Sequence, residues 1–253
     1  MTIDRSRDAG SDRGWTERVA GDSTLLLLLQ FADGLFPAGS FAHSFGLETC
    51  AREGLVRDRA GLEAFVATHL EGAAGPADAV AVAVGSRLAR SGDLGGSIEL
   101  DERLDAMKWV PEFRAASRQM GRQTLRVAAA IGGAGDGADP FLAELARAAD
   151  EGLAPGHHAV AFGAAVGRGG ADPERAALAF LYSTSALLVG AGLRLLPLGQ
   201  LDGQRALAAM RSRIERLAAR AAAARVEDMW SFNPDHEIAG VRHATLEVRL
   251  FRS

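Results

Sequence analysis

From residue 202 to about residue 225, Leu207, Met210, Ile214, Leu217 and Ala221 recur every three or four positions, with arginines between them. That spacing puts the apolar groups on one face of an α-helix and the charges on the other. A second stripe, Leu62, Phe65, Val66, His69 and Leu70, follows Asp58, an acidic residue suited to capping a first turn. Asp139-Pro140 and Asp172-Pro173-Glu174 each place a capping side chain before a proline at the first helical position. Gly152 and Gly167 stand where helices should stop. The pattern predicts further helices around 41–53, 76–90, 98–109, 112–131 and 157–166, with breaks at 91–97, 132–139 and 167–171. No alternating run supports a sheet in the body of the chain, so an all-α, single-domain bundle of about ten helices is expected.

Both ends depart from this pattern. Residues 1–23 mix Asp, Arg, Ser and Gly with few apolar positions and read as a disordered tail, without the unbroken apolar core of a signal peptide. The helical body then spans 24–229. Trp230-Ser231-Phe232-Asn233-Pro234 reads as a stop, because proline lacks an amide hydrogen. Beyond it the segment 230–253 reads as a non-helical C-terminal tail. Leu246, Val248 and Leu250 alternate with Glu247 and Arg249 ahead of Phe251, so it should dock, either on its own bundle or on another protein. Residues 176–193 carry no charge and approach the ~20 residues of a membrane span. Tyr182, Ser183, Thr184 and Ser185 interrupt them, and Arg194 follows without an aromatic belt, so the segment is read as a central bundle helix.

Composition narrows the chemistry. The 253 residues are 48% hydrophobic and carry a formal charge of −4, which gives no basic field for nucleic acid. Cys50 is the only cysteine, so no internal disulfide or thiolate cluster can form, and a cytoplasmic chain is the natural reading. Lys108 is the only lysine and lies in no P-loop. The glycines at 132, 133, 135 and 137 miss the dinucleotide-binding spacing and read as a loop. Ser44, in Ala42-His43-Ser44-Phe45-Gly46, stands one residue from a nucleophile elbow, but Gly34, Pro37 and Gly39 break the strand such an elbow needs. His236 and His243 are seven apart, a helical rise of ~10.5 Å, too far to share one metal. His157 and His158 diverge, and His69 reads as a satisfied core residue, so neither a metal site nor a catalytic residue is predicted. Arg114, Arg118, Arg122 and Arg126 form a basic ridge that reads as a solvated face, whose mutual repulsion an acidic partner surface or internal carboxylates would relieve.

Several blocks bear a resemblance. Phe36-Pro37-Ala38-Gly39-Ser40-Phe41-Ala42-His43-Ser44-Phe45-Gly46-Leu47-Glu48 resembles the opening signature of the urease accessory protein UreF family. Arg118-Gln119-Met120-Gly121-Arg122 is similar to its second block, and His157 with Val160-Ala161-Phe162-Gly163 to its third. Arg194-Leu195-Leu196-Pro197-Leu198-Gly199-Gln200, with Gly203-Gln204, is similar to the fourth, and Arg242-His243-Ala244 through Arg249-Leu250-Phe251-Arg252-Ser253 to the last. The blocks keep the family's order across about residues 25–253.

The resemblance implies a non-catalytic, all-helical homodimer without a cofactor of its own. It would bind UreD/UreH, recruit the GTPase UreG and act on apo-urease, with GTP hydrolysis coupled to nickel insertion and lysine carbamylation. Arg194, Gln200, Gln204, Arg242, His243, Arg249, Leu250, Phe251 and Arg252 would contact partners. Pro37, Gly39, Ser40, Phe41, Gly46, Glu48, Arg118, Met120, Gly121, His157, Phe162 and Gly163 would be structural. Two alternatives are a strict GTPase activator that inserts Arg194 or Arg122 beside the phosphates, and a serine hydrolase using Ser44. Within the signature, Ser40 is expected to cap a helix and Phe41 to share an apolar face with Phe45 in the core. Deleting 240–253 is expected to spare the fold and abolish UreD/UreH binding.

Overall fold

The computed structural model of the chain describes residues 22–132 and 137–253. Its first half contains α1 (Asp22–Ala32), α2 (Leu47–Arg52), α3 (Arg59–His69), α4 (Val80–Ser91), α5 (Leu94–Met107) and α6 (Pro111–Ile131). The second half contains α7 (Pro140–Asp150), α8 (His158–Arg168), α9 (Pro173–Leu195), α10 (Gln200–Ala223) and α11 (Pro234–His243). No strand occurs among the described residues, and the helical bundle read from the sequence is the fold that forms. The expected N-terminal tail, 1–23, lies outside the described residues as far as residue 21, while Asp22 and Ser23 open α1. The glycine loop likewise falls outside them at 133–136.

The capping residues behave as their chemistry dictates. Asp58 accepts from the Gly61 amide at 2.8 Å, Asp139 from Leu142 at 3.1 Å and Asp172 from Glu174 at 2.9 Å. Each carboxylate satisfies an amide that the first helical turn leaves unpaired. Phe162 of α8 lies in the core, edge-on to Phe31 of α1 at 6.4 Å and to Phe180 of α9 at 5.5 Å. Helix α9 is long and apolar enough to cross a membrane by length and composition alone; half of its most apolar window is buried inside the bundle, where it packs on α10 and α4.

The tightest helix pair is α4 against α8. Gly163 and Gly167, one turn apart, face Val82 and Ser86, also one turn apart. A methyl group on Gly167 would sit 2.6 Å from the Ser86 carbonyl oxygen, and one on Gly163 would overlap that of Val82. Backbone atoms are the obstacle, so no rotamer change relieves the clash. Gly163→Ala is therefore expected to cost ~1–3 kcal/mol as overpacking despite alanine's better helix propensity. A chemical denaturation midpoint unchanged from the parent would refute that.

Two expectations from the sequence are corrected here. A separate helix was expected around 76–90, but the chain runs helically from α3 into α4 through wider π-type turns at Leu70–Ala79. Pro76 has no amide to give to the helical ladder. From outside the stretch, the Phe232 amide donates to the Gly72 oxygen at 2.8 Å and the Trp230 amide to the Pro76 oxygen at 3.3 Å. Glu71, in the same stretch, is held by Arg213 at 2.9 Å and by Arg216. The second correction concerns Pro234, which does not end helical structure but starts α11. At the first position its missing amide would have been unpaired in any case.

Candidate partner-binding face

The opening signature folds as a loop. Gly39 has φ +82°, a single 3₁₀ turn covers Ser40–Ala42, and Phe45 and Gly46 both take positive φ, +51° and +88°. Only Gly46 does so without steric cost, and it has no room for a side chain: a methyl there would lie 3.0 Å from the His236 oxygen. Ser40 makes no cap bond, and α2 begins only at Leu47, so the expected helix at 41–46 is absent. Phe41 therefore does not share a face with Phe45. It is 70% exposed, while Phe45 turns inward to Phe113 at 5.5 Å.

This loop grips the end of the chain. The Ser44 and Phe45 amides, at 2.6 and 3.1 Å, and the Ser44 hydroxyl, at 2.8 Å, all donate to the Ser253 oxygen. His43 Nδ1 lies 2.9 Å from Ser253 Oγ, and the Arg252 amide donates to Ala42 at 2.8 Å. Phe251 is 3% exposed. The tail thus docks on its own bundle, and deleting 240–253 removes core contacts rather than a free arm. Ser44 is buried, its proton is committed to Ser253, and the neighbouring imidazole faces Ser253 rather than Ser44. The nucleophile–base pair of a hydrolase is not formed.

Glu48 sits beneath the docked tail with a fully buried side chain. It accepts from the Leu250 amide at 2.8 Å, the Phe251 amide at 3.0 Å, Arg52 at 2.9 Å and His243 Nε2 at 3.2 Å. Burial alone would raise its carboxyl, but the Leu250 and Phe251 amides, Arg52 and His243 outweigh burial and hold it below the usual range. His243 continues the chain through Nδ1 to Glu112 at 2.7 Å, and Glu112 takes Arg249 at 2.8 Å. His243 and Phe251 were expected to touch a partner. Both are buried, so they act from within, by holding the tail in place. Sequence reasoning missed Arg52 and Glu112; the i, i+4 spacing of Glu48 and Arg52 was the available sign of the first, and nothing marked the second.

Arg194 ties the fourth block to the other two. Its Nη1 donates to the Phe41 carbonyl at 2.7 Å, and its guanidinium lies 4.2 Å from the centre of the Phe251 ring. Three stretches far apart in sequence therefore make one surface. Along these stretches Phe41, Val248 at 68% and Leu250 at 53% are exposed, as are Arg194, Arg242, Arg249 and Arg252. Arg242 leans on Glu53 at 3.2 Å. Pro37 is exposed in the turn before the loop, whereas Gln200 and Gln204 are exposed on the first turns of α10, outside this network.

The middle blocks are internal. Asp101 accepts from the Gly156 and His157 amides at 2.5 and 2.9 Å, and burial raises its carboxyl to about 6 against those donors. Asp105 binds Arg118 at 2.6 Å and His157 Nε2 at 2.8 Å; they outweigh burial and hold it below the carboxylate range. Met120 is buried, and Gly121 abuts the Gly156–His157 backbone with no space for a methyl. Asp105 and, for Arg126, Asp150 at 2.9 Å relieve the arginine ridge from inside the chain. Arg122 lies along Gly156 with its Nε buried.

Taken together, fold and face define a class: an all-helical protein whose widely separated sequence blocks are spent on building a surface. No group of three or more metal-ligating side chains assembles among the described residues. Residues 56–211 match the sequence model of the UreF family. The urease accessory protein UreF of Bacillus sp. (strain TB-90) is 30% identical over 229 residues, 90% of this chain and 99% of that protein. Those of Granulibacter bethesdensis and of Rhizobium leguminosarum bv. trifolii are each 34% identical, over 92% and 93% of this chain and 95% and 100% of theirs. The chain belongs to the UreF family of urease accessory proteins, and its role lies in urease maturation.

Proposed function

We propose that this protein is a non-catalytic cytoplasmic scaffold that, as a homodimer, joins UreD/UreH and recruits the GTPase UreG to apo-urease. GTP hydrolysis by UreG then accompanies nickel insertion and carbamylation of the metal-bridging lysine, and this chain holds neither GTP nor nickel tightly. One observation carries the reading: three of the family's sequence blocks converge where Arg194 meets Phe41 and Phe251. The outer side of that junction combines exposed apolar side chains with arginines, which suits a partner offering apolar pockets edged by carboxylates.

The test separates contact from stability. Phe41→Ala removes an exposed ring and is expected to leave stability within about 0.5 kcal/mol. Affinity for UreD/UreH should fall about 30-fold or more, as for a hot-spot aromatic. Full co-purification of that variant with UreD/UreH would place the interface elsewhere.

A further inference from the structure

A partly open cavity of about 100 Å³ is lined by the π-type turns, α6, α9, the start of α11 and the inner side of the opening loop at Phe45. His69, His236 and Asn233 are among its lining residues, all at least nine-tenths buried. Six buried side-chain polar atoms lack a partner among the described residues, and four belong to these three residues: both imidazole Nδ1 atoms and both atoms of the Asn233 amide. Buried polar atoms are rarely left unpaired, because they have lost water without replacement. Asn233 is the more telling for its position. It occupies the residue before α11, where asparagine normally caps, yet its side chain makes no cap bond.

The lining says what would satisfy these atoms. Its ion pair, Asp78 with Lys108 at 2.7 Å, is already neutralised internally. Burial holds His69 near about 4 and His236 near about 3, so both imidazoles are uncharged at neutral pH. An anionic ligand would find no unpaired positive charge here, because the other charged lining groups, Asp33 and Glu237, are carboxylates. An amide group and two imidazole nitrogens ask instead for a molecule with both donors and acceptors. The His69 and His236 rings lie 5.6 Å apart and within 11° of parallel, so the two imidazoles of the lining set one common plane, which favours a flat occupant. The volume admits only a few heavy atoms.

We propose that this cavity binds a small, planar, uncharged amide of the carboxamide or urea class, hydrogen-bonded by Asn233, His69 and His236. The proposal stands independently of the partner-binding reading. The test is saturation-transfer NMR on the full chain with millimolar acetamide, with urea as a second probe and acetate as the charged isostere. With about four heavy atoms, acetamide cannot bind tighter than roughly tens of micromolar, so millimolar probe is appropriate. Transfer to the acetamide methyl, displaced by urea and not by acetate, is the expected result. Asn233→Leu, similar in size and without a buried amide to leave unpaired, should weaken binding at least about tenfold. Ala73→Leu, which fills the cavity from the π-type turns, should do the same, and whichever variant keeps the parent's melting temperature is the one read. Absence of transfer from the parent would overturn the proposal and leave a cavity holding water only. Undiminished transfer in the folded variant, or equal displacement by acetate, would overturn it as well.

Discussion

Acidification from pH 7 to pH 5 is expected to remove a large part of this protein's stability. Burial lowers His43, His69 and His158 to about 4 and His236 to about 3, whereas an unfolded histidine titrates near ~6.5. Between those values the unfolded chain binds more protons than the native one, so stability is complete above ~6.5 and falls as the pH drops toward 4. Each histidine loses roughly 2 kcal/mol by pH 5, and four together reach much of the ~5–15 kcal/mol that holds a domain folded. His157 joins them at about 4, because burial and Lys108 outweigh Asp105, 2.8 Å from its Nε2. Asp101 works in the opposite sense: its raised carboxyl takes a proton first in the native state, which recovers part of the loss. Far-ultraviolet circular dichroism and melting temperature against pH measure this. A melting temperature flat from pH 7 to pH 4.5 would show that the histidines are not buried neutral.

The second large effect is expected at Glu48. Replacing it with alanine strands a buried His243 and the amides of Leu250 and Phe251 in one step. Removing one partner of a buried charged network costs ~3–5 kcal/mol, more than the network's own net contribution. For a chain of this size that corresponds to a melting temperature lower by about 10 °C. The damage should also be local, with amide exchange accelerating first at residues 249–253. Glu48→Gln keeps one acceptor and should fall in between. A Glu48→Ala protein melting within a degree or two of the parent would mean that the tail is held by something else. Because the Glu48 carboxyl is held below its ordinary range, its contribution is present above ~4.3 and is lost only at lower pH. The two effects are therefore separable by titration.

The parts of the fold legible in the sequence were those governed by local rules. The stripe from Leu207 to Ala221 and the Asp-Pro pairs at 139 and 172 report periodicity and capping, which depend on residues within one or two turns. Pro234 obeys an equally local rule, but one with two outcomes: at a first helical position it starts a helix, and elsewhere it stops one. The π-type turns were hidden because what stabilises them is distant, the Trp230 and Phe232 amides and two arginines of α10. His69 was rightly placed inside and wrongly taken as satisfied, since periodicity reports burial and says nothing about partners. The face was legible as a set of blocks and not as a shape. That Arg194 rests on Phe251, or that Phe41 points outward from a loop, follows from contacts between residues 57 and 153 positions apart, which no window of sequence contains.

The bonds between Glu48 and the tail also set a timetable for synthesis. Glu48 leaves the ribosome about 200 residues before the Leu250 and Phe251 amides that it accepts from. At ~5–20 residues per second the interval is roughly 10–40 s. Throughout it the opening loop can only be half made, its carboxylate hydrated and Ser44 and Phe45 without the Ser253 oxygen. Helices α3 to α10 have time to assemble first, so the surface around Phe41 and Arg194 closes last, and a nascent chain that has not yet reached residue 250 does not display it.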